Sequence, residues 1–200
     1  MYKRQIPVFV PHLGCPHNCV FCNQNRISGQ LEPATPQTVI DEIENAAAFL
    51  PKGGKRQLAF YGGSFTAIPA AEQEALLGAA KTYLDRGEIN AIRLSTRPDA
   101  IDETVLERLH RYGVETVELG AQSMDAEVLR RSARGHTAED VEHASKLIKA
   151  SGFRLILQMM TGLPGDTAEK DIETARKIIA LEPDLSLIHI SEPTRLGMIS

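Results

Sequence analysis

The sequence predicts an α/β protein built on a parallel sheet, and two observations carry that prediction. Short runs rich in Val, Ile, Leu and Phe alternate with longer amphipathic stretches. Strand–helix–strand repetition requires crossovers, and crossovers produce parallel strand pairs with helices packed on the sheet. The unusual residues, moreover, directly follow the short runs: Cys15–Cys22, Gly62–Thr66, Ser95–Pro98, Gln122–Ser123 and Gly162–Gly165. In a parallel sheet those positions share one rim, the carboxyl edge, where ligands bind in this class of fold. The pattern alone does not choose between a doubly wound sheet and a curved barrel.

In chain order the strand runs are Ile6–Val10, Leu58–Tyr61, Ala91–Ser95, Thr116–Leu119 and Leu155–Met159. The helical stretches are Gln37–Leu50, Ala70–Arg86, Asp102–Arg111, Thr137–Ala150 and Ala168–Leu181. Thr35-Pro36, Asp102 and Thr137 are placed as helix starts: a side-chain oxygen accepts from a free N–H of the first turn, and Pro suits the first helical position. Gly113 and Gly152 end two helices just before the next strand.

Composition narrows the function classes. The 200 residues are 42% hydrophobic and 24% charged, which suits a folded globular chain. No run of about 18 apolar residues is present for a membrane span. The start, MYKRQIPVFVPH, has no long apolar core or small-residue cleavage site, so it does not read as a secretory signal. A net charge of −4 gives no broad basic surface for nucleic acid. Cysteines confined to one short segment are a poor disulfide framework, so the expected compartment is a reducing cytoplasm.

Those cysteines, Cys15, Cys19 and Cys22, are spaced C-x3-C-x2-C, close enough for three thiolates to meet one metal centre. A Cys3His zinc site using His12 or His17 is one reading. An iron–sulfur cluster is the other. Structural zinc sites usually pair two separated ligand groups, and no second Cys/His group follows. Three thiolates on a cubane leave one iron open, which suggests chemistry rather than plain electron transfer.

The remaining strand ends read as follows from the residues alone. Gly62-Gly63 is a strand-to-helix turn; neither G-x-G-x-x-G nor a P-loop pattern is present. Pro98-Asp99 is a turn with Arg97 a solvated charge, and Gln122 a turn amide. Arg130 and Arg131 are solvated helix charges, Met159 and Met160 packing residues, and His136 and His143 structural or exposed.

With Phe21 before the last cysteine of a βα-repeat domain, PHLGCPHNCVFCNQ resembles the radical S-adenosylmethionine superfamily. YGGSFT, LSTRPD, VELGAQS, RGHT and MTGLPG extend the resemblance over nearly all of residues 1–184. It implies a partial parallel (β/α)6 barrel, cut short after about five βα units. It also implies a 4Fe–4S cluster on Cys15, Cys19 and Cys22, with S-adenosylmethionine chelated at the free iron. That cofactor would be cleaved to methionine and a 5′-deoxyadenosyl radical, with an electron donor such as flavodoxin or ferredoxin as partner. The implied cofactor residues are Phe21, Gly62 and Gly63, whose backbone holds the methionine amino group, Ser64, and Ser95 at the ribose. Gln122, Arg134 at the methionine carboxylate, Gln158 at the ribose and Gly162 complete the set. The pattern is closest to the branch of the Elongator catalytic subunit, which implies tRNA wobble uridine as substrate. Oxygen-independent coproporphyrinogen oxidase is the neighbouring pattern and implies radical decarboxylation. A zinc-stabilised binding module and an electron-transfer iron–sulfur protein are the contrasting classes.

The last segment departs from this. Leu187–Ile190 has the composition of a sixth strand, but Leu185–Arg195, LSLIHISEPTR, resembles a translated transposase-type sequencing adapter. The expected division is therefore an incomplete core over 1–184 and a non-native tail over 185–200, with no function given to His189. Amplifying the source genomic DNA across codon 184 checks this: the expected product leaves the LSLIHISEPTR frame, and a genome encoding that peptide contradicts it.

Overall fold

The computed structural model describes residues 4–10, 19–22, 33–49 and 54–190. Six strands pair in parallel, in chain order: β1 (Arg4–Val10), β2 (Arg56–Gly62), β3 (Ala91–Thr96), β4 (Val114–Gln122), β5 (Arg154–Thr161) and β6 (Leu185–Ile190). An order that never reverses is not that of a doubly wound sheet. The sheet instead curls into a half-barrel, the fold class expected.

The helices are α1 (Pro36–Phe49), α2 (Ala70–Asp85), α3 (Glu103–Arg111), α4 (Ala126–Arg131), α5 (Ala138–Ala150) and α6 (Ala168–Ala180). Alternation along each strand separates two faces. Ile6, Val8, Leu58, Phe60, Ile92, Leu94, Val117, Leu119, Leu155 and Leu157 are buried and join one core with helix residues at three- and four-residue spacing. Val39 and Ile43 of α1, Leu76, Leu77 and Ala80 of α2, Val105 and Leu109 of α3, and Val141, Ala144 and Ile148 of α5 supply the other half. Each of the Val, Leu, Ile and Phe side chains contributes about 1.5–3 kcal/mol on burial.

The alternate strand positions form the inner face, and many are polar. The Tyr61 hydroxyl donates to Gln5 Oε1 at 2.8 Å. Arg93 pairs with Glu118, both buried, and its guanidinium lies 5.7 Å over the Tyr61 ring. A buried ion pair is a poor source of net stability because both charges lose water. Polarity here points to use of the inner face.

The helix starts form where the capping residues place them. The Val105 N–H donates to Asp102 at 2.7 Å, and Thr137 forms a reciprocal capping box with Asp140. Gly113 and Gly152 end their helices at φ +74° and +78°. Helix α4 was given no bounds from sequence, only helix charges at Arg130 and Arg131; its six residues are too few to show a helical period. It is capped by Asp125, which accepts from the Val128 N–H at 3.0 Å. Among the described residues, no helix is long and apolar enough to cross a membrane.

Five βα units precede the sixth strand, the extent of barrel the resemblance implied. Leu185–Ile190 pairs with Ile156–Thr161 along its whole length, and the Asp184 N–H donates to the Leu155 carbonyl at 2.9 Å. Pairing needs only backbone groups and β-forming residues beside an open edge, and LSLIHI supplies both. Its outer side chains gain little from it: Ile188 and Ile190 remain 63% and 79% exposed.

Candidate functional site

The strand ends meet at the carboxyl rim of the half-barrel. At the end of β2, Gly62 has φ +106°, and a Cβ there would lie 2.6 Å from the Val10 carbonyl oxygen. Only glycine fits so close a backbone approach. Gly63 N–H donates to that same carbonyl at 3.0 Å, tying β2's exit to the end of β1. The next residue, Ser64, is buried; its Oγ lies 2.8 Å from Thr96 Oγ1 and accepts from the Arg97 N–H at 3.2 Å. A second hydroxyl, Thr66, joins Thr96 and donates to the Ala100 carbonyl at 2.6 Å. The exits of β2 and β3 are thus one hydrogen-bonded unit.

Cys19 is buried, Cys22 is half-buried, and the Cys22 N–H donates to the Cys19 carbonyl at 2.9 Å in a tight turn. Val20 N–H donates to the Ser132 carbonyl just past α4 at 3.2 Å. Cys15, His12 and His17 lie outside the described residues, so the expected third thiolate and the zinc alternative both fall there. Among the described residues, no group of three or more metal-ligating side chains occurs.

At the end of β4 the backbone is irregular. The register with β5 shifts between Gly120 and Gln122, and Gln122 sits at φ +67°. A non-glycine residue held there costs of order 1–3 kcal/mol, and such strain concentrates at functional sites. A Cβ on Gly120 would lie 2.7 Å from Gln122 Nε2 and 2.9 Å from Arg134 Nη2. Gly120 therefore leaves room for two side chains at once. Gln122 Oε1 and Ser95 Oγ are both buried with no hydrogen-bond partner among the described residues.

Arg134 ties the rim together. Its Nη2 donates to the Gly120 carbonyl at 2.6 Å, Nε to His136 Nε2 at 3.1 Å, and Nη1 to Cys19 Sγ at 3.7 Å. Its own carbonyl accepts from Arg97 Nη2 at 2.6 Å. His136 is 4% exposed; burial first, and the Arg134 charge second, push its pKa down to about 4. The neutral ring accepts at Nε2, which leaves Nδ1–H to donate to the Thr137 carbonyl at 3.2 Å. Arg97, read from sequence as a solvated charge, is 3% exposed and held by Asp99 at 2.9 Å. Burial works to raise the Asp99 pKa, but the Arg97 hydrogen bond and charge outweigh it and hold the carboxyl below its ordinary range. Arg130 and Arg131 are exposed, as read.

These residues enclose a cavity of about 390 Å³, large enough for one cofactor-sized ligand. Phe21, Gly62, Gly63, Ser64, Ser95, Gln122, Arg134 and Gln158 line it together with Cys19 and Cys22. Gly162 does not; it ends β5 at φ +75°. Met159 packs in the core, but Met160 faces the cavity, and so does His189 of β6. Thr96 and Arg97, within the rim segment read from sequence but given no ligand role, also line the wall, and so do Glu118 and Gly120. For Glu118 and Gly120 the signal was strand alternation, readable once β4 is carried past Leu119.

A family model described as the radical SAM superfamily matches residues 9–178. The tRNA uridine(34) acetyltransferase of Methanocaldococcus infernus is 28% identical over 207 residues, covering 85% of this chain and 39% of that protein. The heme chaperone HemW of Escherichia coli is 25% identical over 175 residues, covering 84% and 46%. The solved structure of Methanocaldococcus infernus Elp3 with an N-terminal deletion superposes with TM-score 0.71 at 24% identity, covering 95% and 46%. The chain thus spans less than half the length of each of these proteins.

The histidine in the rim predicts an acid sensitivity. The unfolded chain protonates His136 near its ordinary pKa of 6.5, whereas the folded chain resists until about 4. Its contribution is complete above pH 6.5 and is lost as pH falls towards 4, about 2 kcal/mol between pH 7 and 5. Urea melts at both pH values should show this loss reduced by that amount in His136→Asn; equal losses in the two proteins would contradict it.

Proposed function

The chain belongs to the radical SAM superfamily, and from that membership we propose that it is an enzyme binding S-adenosylmethionine (SAM) in the rim cavity. The cofactor sits against a 4Fe–4S cluster held by Cys15, Cys19 and Cys22. One observation carries this reading: Ser95 and Gln122, whose Oγ and Oε1 are buried with no hydrogen-bond partner among the described residues, line the same cavity as Cys19 and Cys22. A buried polar atom left without a partner costs about 1–3 kcal/mol. Ligand hydroxyl and amine groups remove that cost, and SAM carries both.

The other residues fit the same ligand. The Gly62–Gly63 backbone, bare of Cβ atoms, suits close approach of the methionine amino group. The Arg134 fork suits a carboxylate. Gln158, which lines the same cavity as Ser95, offers an amide for the ribose, and Phe21 gives an apolar wall. Gly162 is proposed to act from the β5 exit by letting the chain turn there. Cys15, Cys19 and Cys22 would hold the cluster, which when bound would supply the one electron needed to cleave the SAM sulfonium to methionine and a 5′-deoxyadenosyl radical. What the chain's own residues do is bind, orient and shield: Arg97 and Asp99 hold the Arg134 backbone, and the β4 bulge aims Gln122. The electron comes from a small reducing protein of the flavodoxin or ferredoxin class, and the reducing cytoplasm is the matching compartment.

For the substrate, we assign tRNA wobble uridine, on the strength of relatives named as tRNA uridine(34) acetyltransferases. Acetyl transfer would require chain beyond the shared region.

Anaerobic reconstitution tests the cofactor reading. Brown protein is expected, with an EPR signal that changes on adding SAM. Ser95→Ala and Gln122→Ala should each weaken SAM binding about fivefold, the equivalent of one hydrogen bond of about 1 kcal/mol. Colourless protein carrying stoichiometric zinc would contradict it.

A further inference from the structure

Among the described residues, the three nitrogens of the Arg134 guanidinium donate to an imidazole, a backbone carbonyl and a cysteine sulfur. The side chain is buried, and its own carbonyl is held by Arg97. Two neutral acceptors, His136 Nε2 and the Gly120 oxygen, fix the plane of the fork. The direction of the third nitrogen is then set by the fold, and it points at Cys19 Sγ. Gly120 is needed for this arrangement, because a Cβ there would displace Nη2. His136 is needed too, because its Nδ1 is turned to the Thr137 carbonyl and leaves Nε2 for Arg134.

We infer that Arg134 is a donor to the Cys19 sulfur that raises the reduction potential of the cluster, with His136 and Gly120 as the positioning residues that hold its aim. The inference rests on the cofactor reading above, since it needs a cluster at Cys19. Reduction adds one negative charge to the cluster and its sulfurs. A fixed cation donating to one of those sulfurs therefore stabilises the reduced form more than the oxidised form. Burial strengthens the effect, because little water screens it. This role differs from pairing with a carboxylate of bound SAM, and it operates with the cavity free of SAM. A merely structural Arg134 would change stability and leave the potential alone.

The test is an EPR-monitored redox titration of the reconstituted 200-residue chain with no SAM present, so that contact with SAM contributes nothing. Arg134→Gln should lower the ratio of reduced to oxidised cluster about tenfold at the wild-type midpoint, a shift of about 59 mV for one electron. Arg134→Lys, which keeps the charge but loses the fixed fork, should fall between the two. His136→Phe, which touches no cysteine, should shift the midpoint in the same direction by less. His136→Gln places an acceptor near the position of Nε2 and should stay near wild type. Equal midpoints in wild type and Arg134→Gln overturn the inference, and an unshifted His136→Phe overturns its positioning half. Folded Arg134 variants that cannot retain the cluster also overturn it, since the residue would then serve retention rather than tuning. Wild-type protein that takes up no cluster overturns the cofactor reading itself. A cluster of unchanged potential overturns this inference alone.

Discussion

In a parallel sheet wound in chain order, every strand leaves the sheet at the same rim, and the location of the chemistry follows from that geometric constraint. The outer strand face is committed to the helices, where Leu, Ile, Val and Phe side chains interlock in one core. The inner face and the rim are free of that demand and carry the polar residues. The exits then become each other's supports. Val10 holds Gly63, Ser64 and Thr66 hold Thr96, and Arg97 holds the Arg134 carbonyl. Residues from β1, β2, β3 and the segment after α4 thereby act as one frame, and the cavity is the space the frame leaves open.

The end of β4 shows how that frame holds an unfavourable conformation. Gln122 stands in the left-handed region and the register slips beside it. Leu119 and Ala121 on either side of Gly120 are fully buried, so the strand cannot relax outward without exposing them. Core packing thus carries the strain, and the strain turns an amide into the cavity. Gly120 completes the device by leaving the volume that the Gln122 amide and the Arg134 guanidinium occupy.

Much of this was legible in the sequence, for identifiable reasons. The first five strands show as apolar runs between amphipathic stretches, and Asp102 and Thr137 cap helices through local hydrogen bonds that depend on few distant residues. The Gly62-Gly63 pair was readable as a turn. Its cause, the approach of the Val10 carbonyl, is a contact between residues far apart in the chain. Arg97 looked solvated because a charged side chain carries no local sign of burial; its partners are Asp99 and the Arg134 carbonyl, and the latter is brought near only by folding. Strand β4 was read short because Glu118-Leu119-Gly120-Ala121-Gln122 mixes polar and small residues as a turn does. The sixth strand was set aside on the character of its sequence, yet backbone pairing with an open edge is indifferent to that character.

The central claim is that the rim cavity holds SAM against a cluster and cleaves it. The direct measurement is product analysis after incubating the reduced, reconstituted chain with SAM under anaerobic conditions. Methionine and 5′-deoxyadenosine should appear in equal amounts, and replacing any one of Cys15, Cys19 and Cys22 by Ala should abolish both. A chain that carries a full, reducible cluster and binds SAM yet forms neither product would contradict the account.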